Sequence, residues 1–509
     1  MLIRPLPPCV RKKEFLQLPP TASLLMKPRI SNSMRRPLLN RWILPLLALS
    51  ALAPAALSDI SVPAYFSEHM MLQADAPAPV WGWADPEETV SATFAGQTQT
   101  AQADDQGEWR VTFSALKPGA NGPLILKGKN SVTIQDVLAG EVWLASGQSN
   151  MHINLAQNHR GPGVAEALAT SADPWVRQFT VIRNDKAKSA KDLAGFWRVA
   201  NKENLTADRV HGDSAVAYFF ARETRRRLNQ PVGILHASIG ATPIETWSKG
   251  GGGFEKMVKP MAPYGIRGFL YYQGESNVHR FTGSLYTSLF TETVAFWRST
   301  WGRGDLPFLY VQIAPNRYST KNAPPSNGRP ISPLELPLFW EAQTAALKTI
   351  PHSGMAVIHD SITDLDNIHP ENKRVPGERL ALLAASQVYG DKSMVGSGPL
   401  FQSAQPEGAQ IRVRFTSTGS GLATRNGAAP DGFEIAGEDR QFVPAEVTLE
   451  KDSALVRSPK VAKPVSVRFA WHEEARPNLM NREGLPAAPF RTDSWLMDDP
   501  RTSDHPASK

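Results

Sequence analysis

Between residues 138 and 392 the chain alternates short apolar runs with helix-length amphipathic segments, and no other feature restricts its fold so strongly. "EVWLAS" opens the series, followed later by "VGILHAS", "IRGFLYY", "LPFLYVQI" and "SGMAVIHD" as further strands. Between and after them, "DSAVAYFFARETRRRLNQ", "SLYTSLFTETVAFWRSTWG" and "ERLALLAASQVYG" have the period of helices. The first has Asp213 or Ser214 as its capping residue. Strands separated by helices cannot pair as hairpins. They form a parallel sheet covered on both faces, and ligands of such sheets bind beyond the carboxyl ends of the strands.

The flanks have a different texture. Residues 59–137 read as short strands and turns, as in "ETVSATFAGQTQTAQADDQGEWRVTF", where "DDQG" turns the chain between two alternating runs. Residues 393–497 return to alternation in "AQIRVRFTST", "AEVTLEKDSALVRS" and "VSVRFAW". Residues 498–509 are polar and read as a disordered tail. The expected fold is therefore α/β: a doubly wound parallel sheet of about five strands, residues 138–392, between an N-terminal β domain (59–137) and a C-terminal β-rich domain (393–497).

Residues 1–58 are set apart as a leader. "MRRPLLNRWILPLLALSALAPAALS", Met34 to Ser58, has arginines, an apolar stretch and then small residues, the order of a secretory signal peptide. Its apolar run is shorter than the roughly 20 residues a membrane span needs. The leader also carries the basic excess. It holds nine of the 55 Lys and Arg and one of the 48 Asp and Glu, which leaves 46 basic and 47 acidic residues. The sequence pI of about 9.3 belongs to the leader and gives no support to nucleic-acid or membrane-surface binding. Cys9, the single cysteine, lies there too, so the rest of the chain can form neither a disulfide nor a thiolate metal site. The expectation is an exported protein, periplasmic or extracellular, with no membrane segment in its mature form.

Four loops then carry the chemistry. "GQSNM" (Gly147 to Met151) follows the first strand, "IGATPIETW" (Ile239 to Trp247) the second, "YQGESN" (Tyr272 to Asn277) the third and "DLDNIHPENK" (Asp364 to Lys373) the fifth. Parallel strands bring these loops to one rim. Taken singly, each has a plain structural reading: Gly-x-Ser is a turn, and His369 a surface histidine. Taken together, they supply what acyl transfer requires. Ser149 can be the nucleophile, His369 the base, and Asp366, three residues earlier, can fix the imidazole tautomer. The backbone N–H of Gly240 and an amide side chain from Gln273 or Asn277 can hold the oxyanion.

"EVWLASGQSNM", "IGATPIETW", "YGIRGFLYYQGESN" and "DNIHPENKRVPGERLAL" resemble the motif blocks of the sialate O-acetylesterase family, a branch of the SGNH (GDSL-like) hydrolases. "SEHMMLQADAPAPVWGWADP" and "NREGLPAAPFRTDSW" resemble its flanking regions, so the likeness spans nearly all of residues 60–495. The resemblance implies an SGNH-type sheet and a serine carbohydrate esterase. Its nucleophile would be Ser149 and its base His369, with Asp366 in the Asp-x-x-His arrangement. Ser149, Gly240 and Gln273 would form the oxyanion hole, with Asn277 as the alternative amide. Neither metal nor cofactor is implied. The substrate would be an O-acetylated sialic acid or another acetylated glycan, such as xylan or pectin. A carbohydrate-binding protein without catalysis, or an O-acetyltransferase, could use the same fold. Three departures mark the chain. Ala145 stands where relatives often have Cys, the second block begins Ile239-Gly240 where relatives begin Gly-Gly, and only "SKGGGGFEKMVKPMAPYG" joins the second and third blocks.

Overall fold

A computed structural model describes residues 59–495, apart from 187, 188, 208–211, 321–327 and 329. The leader (1–58) and the expected tail (498–509) lie outside the described residues.

The central sheet is built from β1 (Ser131–Gly147), β2 (Asp173–Ile182), β3 (Ala194–Ala200), β4 (Val232–Ser238), β5 (Gly268–Tyr272), β6 (Phe308–Val311) and β7 (Ser353–Ala356). Their order across the sheet is β7-β6-β5-β1-β4-β2-β3. Every neighbouring pair is parallel except β2 and β3, which run antiparallel. This corrects the expectation of an all-parallel sheet of about five strands: the sheet is mixed, with two more strands at one edge. β2 and β3 escaped the apolar pattern because β2 carries polar residues that tertiary partners bury. Arg177 in β2 donates to the carbonyls of His69 and Asp136 and pairs with the Asp136 carboxylate at 2.9 Å.

Helices cover both faces. Trp143 of β1 packs on Phe220 of α2 (Ala215–Leu228), with ring centroids 5.2 Å apart. The next residue, Leu144, points the other way and is in register with Phe269. Phe269 packs against Trp297 and Trp301 of α4 (Gly283–Trp301). A closing helix, α6 (Arg374–Gln387), joins α2, and α5 (Glu335–Thr349) joins α4. Ser214 caps α2, its hydroxyl accepting from the Ala217 N–H at 3.1 Å. Two short helices, α1 (Ser149–His152) and α3 (Glu275–Val278), follow β1 and β5 directly.

β1 also belongs to the N-terminal β region. Its first half pairs with Asn121–Lys127, and Leu138 to Gly140 pair with Met71–Gln73. One strand thus runs across residue 137, and a continuous buried core extends from Tyr65 and Trp81 to Tyr264 and the central sheet. The C-terminal β region has its own core around Val413, Ile435, Val456 and Phe469.

Candidate active site

The three central strands end at one level. Gly147 of β1 is in register with Ser238 of β4 on one side and Tyr272 of β5 on the other. β4 and β5 leave β1 in opposite directions across the sheet. Ser149 therefore stands at the point where strand order reverses, the usual ligand crevice of an open α/β sheet.

Gly147 makes this approach possible. Its φ is +137°, and a Cβ there would lie 2.1 Å from the Tyr272 carbonyl oxygen. The chain then extends through Gln148, whose N–H donates to that same oxygen at 3.0 Å, and turns into α1 at Ser149. The first-turn N–H groups of a helix have no intrahelical acceptor, so the Ser149 amide is available to a ligand.

Ser149 Oγ and His369 Nε2 lie 2.9 Å apart, although 220 residues separate them in the chain. Asn367 orients the histidine backbone, its Oδ1 accepting from the His369 N–H at 3.0 Å. Gly240 flanks the serine: a Cβ at 240 would meet Ser149 Cβ at 3.8 Å. Ser149, His369 and Gly240, expected as nucleophile, base and oxyanion donor, are thus brought together.

The other expected residues are placed differently. Asp366 is 66% exposed, and its Oδ2 accepts from Arg317 Nη1 at 3.0 Å. Arg317 is held from its other side by Glu474 of the C-terminal region, also at 3.0 Å. Among the described residues no hydrogen bond joins Asp366 to His369. Gln273 is buried, and its Nε2 donates to Gln148 Oε1, to the Thr242 carbonyl and to Asn277 Oδ1 at 3.1, 3.2 and 2.7 Å. Asn277 is buried too, with Nδ2 donating to Glu245 and Thr282. Both amides therefore face inward, onto protein acceptors.

Three further residues join the site that the motif reading did not single out. Asn150 follows the serine, Glu275 sits inside "QGESN", and Lys373 ends "HPENK"; all three are buried and hydrogen-bonded in a row. Their only sequence signal was a charged residue inside each of two loops already marked as functional.

Ser149 and His369 lie in a cleft of about 480 Å³, with His159, Arg160, Glu371 and Lys373 also on its walls. Arg160 and Glu371 are exposed at its rim. A second cleft, about 540 Å³, lies between Trp81, Trp83 and Arg110 of the N-terminal region and Lys259; none of the four loops lines it. The Ser149–His369 contact lies in the first cleft. Among the described residues no cluster of three or more His, Cys, Asp or Glu could hold a metal ion, and no helix is long and apolar enough to cross a membrane.

Comparison with known proteins agrees with this geometry. Residues 139–349 match the family model for a carbohydrate esterase, sialic acid-specific acetylesterase. The human sialate O-acetylesterase is 29% identical over 394 residues, 66% of this chain and 72% of the human protein. The mouse sialate O-acetylesterase is 27% identical over 439 residues, 70% of this chain and 78% of that protein. Among solved structures, a carbohydrate acetylesterase from Xanthomonas citri superposes with a TM-score of 0.77 at 34% identity, covering 86% of this chain and all of that one. With Ser149 and His369 at bonding distance inside the matched fold, the chain belongs to the sialic acid-specific acetylesterase family of carbohydrate esterases and is a hydrolase.

Proposed function

We propose that this carbohydrate esterase removes O-acetyl groups from a sugar by a serine acyl-enzyme mechanism. The observation that carries the proposal is the 2.9 Å contact between Ser149 Oγ and His369 Nε2 in the cleft. His369 takes the Ser149 proton as Oγ forms a bond to the acetyl carbonyl carbon. The carbonyl electrons move onto oxygen, held by the Ser149 and Gly240 backbone N–H groups. On collapse the ester C–O bond breaks, and His369 gives its proton to the departing sugar oxygen. Water, deprotonated by His369, then releases acetate and restores Ser149.

Asp366 has the orienting role in this scheme. It shares the His369 loop, and catalytic hydrogen bonds often tighten only in the substrate complex. Arg317 engages only Oδ2, which leaves Oδ1 for the imidazole. Gln273 is the third oxyanion donor. Its two amide hydrogens have three acceptors within 2.7 to 3.2 Å, so one contact is surplus and can be exchanged for substrate. Asn277 spends its Nδ2 on Glu245 and Thr282 and accepts the Ile244 N–H, which ties the second block to the third.

The substrate is an O-acetylated sugar. Arg160 at the rim suits the carboxylate of a sialic acid, and Glu371 on the same rim suits the hydroxyls of a neutral acetylated glycan such as xylan or pectin. The leader fits export to the periplasm or exterior, where such glycans occur. Labelling with a fluorophosphonate tests the nucleophile: mass spectrometry finds the adduct on Ser149, and His369→Ala slows its formation. An adduct elsewhere, or none, removes the proposal.

A further inference from the structure

Three polar side chains beside Ser149 are left unused by the mechanism above. Asn150 is 0% exposed, Lys373 1% and Glu275 2%. They come from three different segments, which follow β1, β7 and β5. Lys373 Nζ donates to Asn150 Oδ1 at 2.5 Å. Asn150 Nδ2 donates to Glu275 Oε1 at 2.5 Å and to the Ile368 carbonyl oxygen at 3.1 Å. That carbonyl belongs to the peptide leading into His369.

A buried ammonium and a buried carboxylate are costly, and apolar residues of similar size would fill this space more cheaply. The cost is visible in both groups. Burial pushes the Glu275 carboxyl above the ordinary range, against the bonds from its own backbone and Asn150 and the charge of Lys373. Burial pulls Lys373 down to about 7, against the charge of Glu275.

The arrangement has one distinctive consequence. An asparagine amide can sit in two orientations that differ only by exchange of oxygen and nitrogen. Here an ammonium faces one end and a carboxylate the other. The flipped amide would set NH2 against ammonium and oxygen against carboxylate, so it is excluded from both sides. In the permitted orientation the two Nδ2 hydrogens are fully assigned, one to Glu275 and one to Ile368.

We propose that Lys373 and Glu275 are positioning residues that lock the Asn150 amide so that it holds the Ile368 carbonyl and, through it, His369 against Ser149. The proposal rests on Ser149 and His369 being the reacting pair. It assigns the two charges to geometry.

The test uses the full chain and an aryl acetate, with Ser149→Ala as reference. Asn150→Asp combined with Glu275→Gln keeps a bond between positions 150 and 275 with its polarity reversed. It keeps an anion for Lys373, removes the donor to Ile368 and turns a carboxylate oxygen toward that carbonyl. We expect thermal stability within a few degrees of the parent, KM within about threefold, and kcat lowered about 100-fold, the penalty of roughly 1 Å of misplacement. Lys373→Gln, which still donates to Asn150, is expected to retain kcat within about fivefold, while Lys373→Met loses tenfold or more. A folded double variant with parental kcat would overturn the proposal. Should the double variant not fold, equal kcat in Lys373→Met and the parent would overturn it alone. Activity that survives Ser149→Ala would instead remove the reading of the reacting pair, and so separates the two failures.

Discussion

Gly147→Ala is the substitution whose consequence the structure fixes most closely. The new Cβ would lie 2.1 Å from the Tyr272 carbonyl oxygen, 2.7 Å from its carbon and 3.0 Å from its nitrogen. All three are backbone atoms of β5, which sits between β1 and β6 and has no free side to yield to. Relief needs a shift of about 1 Å between β1 and β5, and φ near +137° is strained for alanine whatever the space. Such backbone strain costs about 1–3 kcal/mol. Losing the Gln148 N–H bond to Tyr272 adds about 1 kcal/mol. The expected destabilisation is therefore about 2–4 kcal/mol. Because Ser149 is two residues on, a displacement of that size should also lower kcat about 100-fold. Gly240→Ala is the matched control. Its Cβ would meet Ser149 Cβ at 3.8 Å, an ordinary contact, so stability should change by less than about 0.5 kcal/mol. Urea unfolding and steady-state hydrolysis of an aryl acetate measure both quantities. A Gly147→Ala protein with parental stability and turnover would refute the claim that this glycine sets the position of Ser149.

Asp366→Asn should leave stability nearly unchanged, because Asp366 is itself exposed in its pair with the half-buried Arg317, and should lower kcat by up to about 10⁴ if the carboxylate sets the histidine tautomer. An unchanged rate would reduce the machinery to Ser149 and His369. Gln273→Ala should cost about 10²–10³ in kcat if that amide joins the oxyanion hole; a larger kcat loss in Asn277→Ala with KM unchanged would transfer the role. Stability should fall as the pH drops from about 6.5 toward 3. Burial, with His152 nearby, pulls His236 down to about 3, so between these values the unfolded chain binds the extra proton and unfolding is favoured. Urea midpoints across that range check this, and His236→Gln should flatten the slope.

The sequence and the structure agree best where a pattern is local. "VGILHAS" became β4 residue for residue, because a continuous apolar run in a buried parallel strand leaves little choice. Ser214 was legible as a cap because the cap bond spans only three residues. β2 was not legible, since its Arg177 and Gln178 are buried by distant partners: Asp136 and His69 for the arginine, the Ser214 carbonyl for the glutamine. α5 was hidden by Pro337, which the first helical turn tolerates because its N–H groups are unpaired there anyway.

The site divides in the same way. Ser149 and His369 stood out as reactive residues in strand-end loops, and strand order then brought those loops together. The engagement of Asp366 could not be read, because Arg317 comes from a different loop and is itself held by Glu474 of the C-terminal region. Nor could the inward-facing amides of Gln273 and Asn277. Which acceptor an amide chooses depends on where Gln148, Thr242, Glu245 and Thr282 fall in space.

Acetate release tests the central claim most directly. The chain from Asp59 onward would be assayed on 9-O-acetyl sialic acid, acetylated xylan, acetylated pectin and an aryl acetate, beside its Ser149→Ala variant. The account predicts acetate from at least one acetylated sugar and its loss in the variant, with the fastest natural substrate identifying the sugar. Equal acetate release from the parent and Ser149→Ala, or none from any of the four, would contradict it.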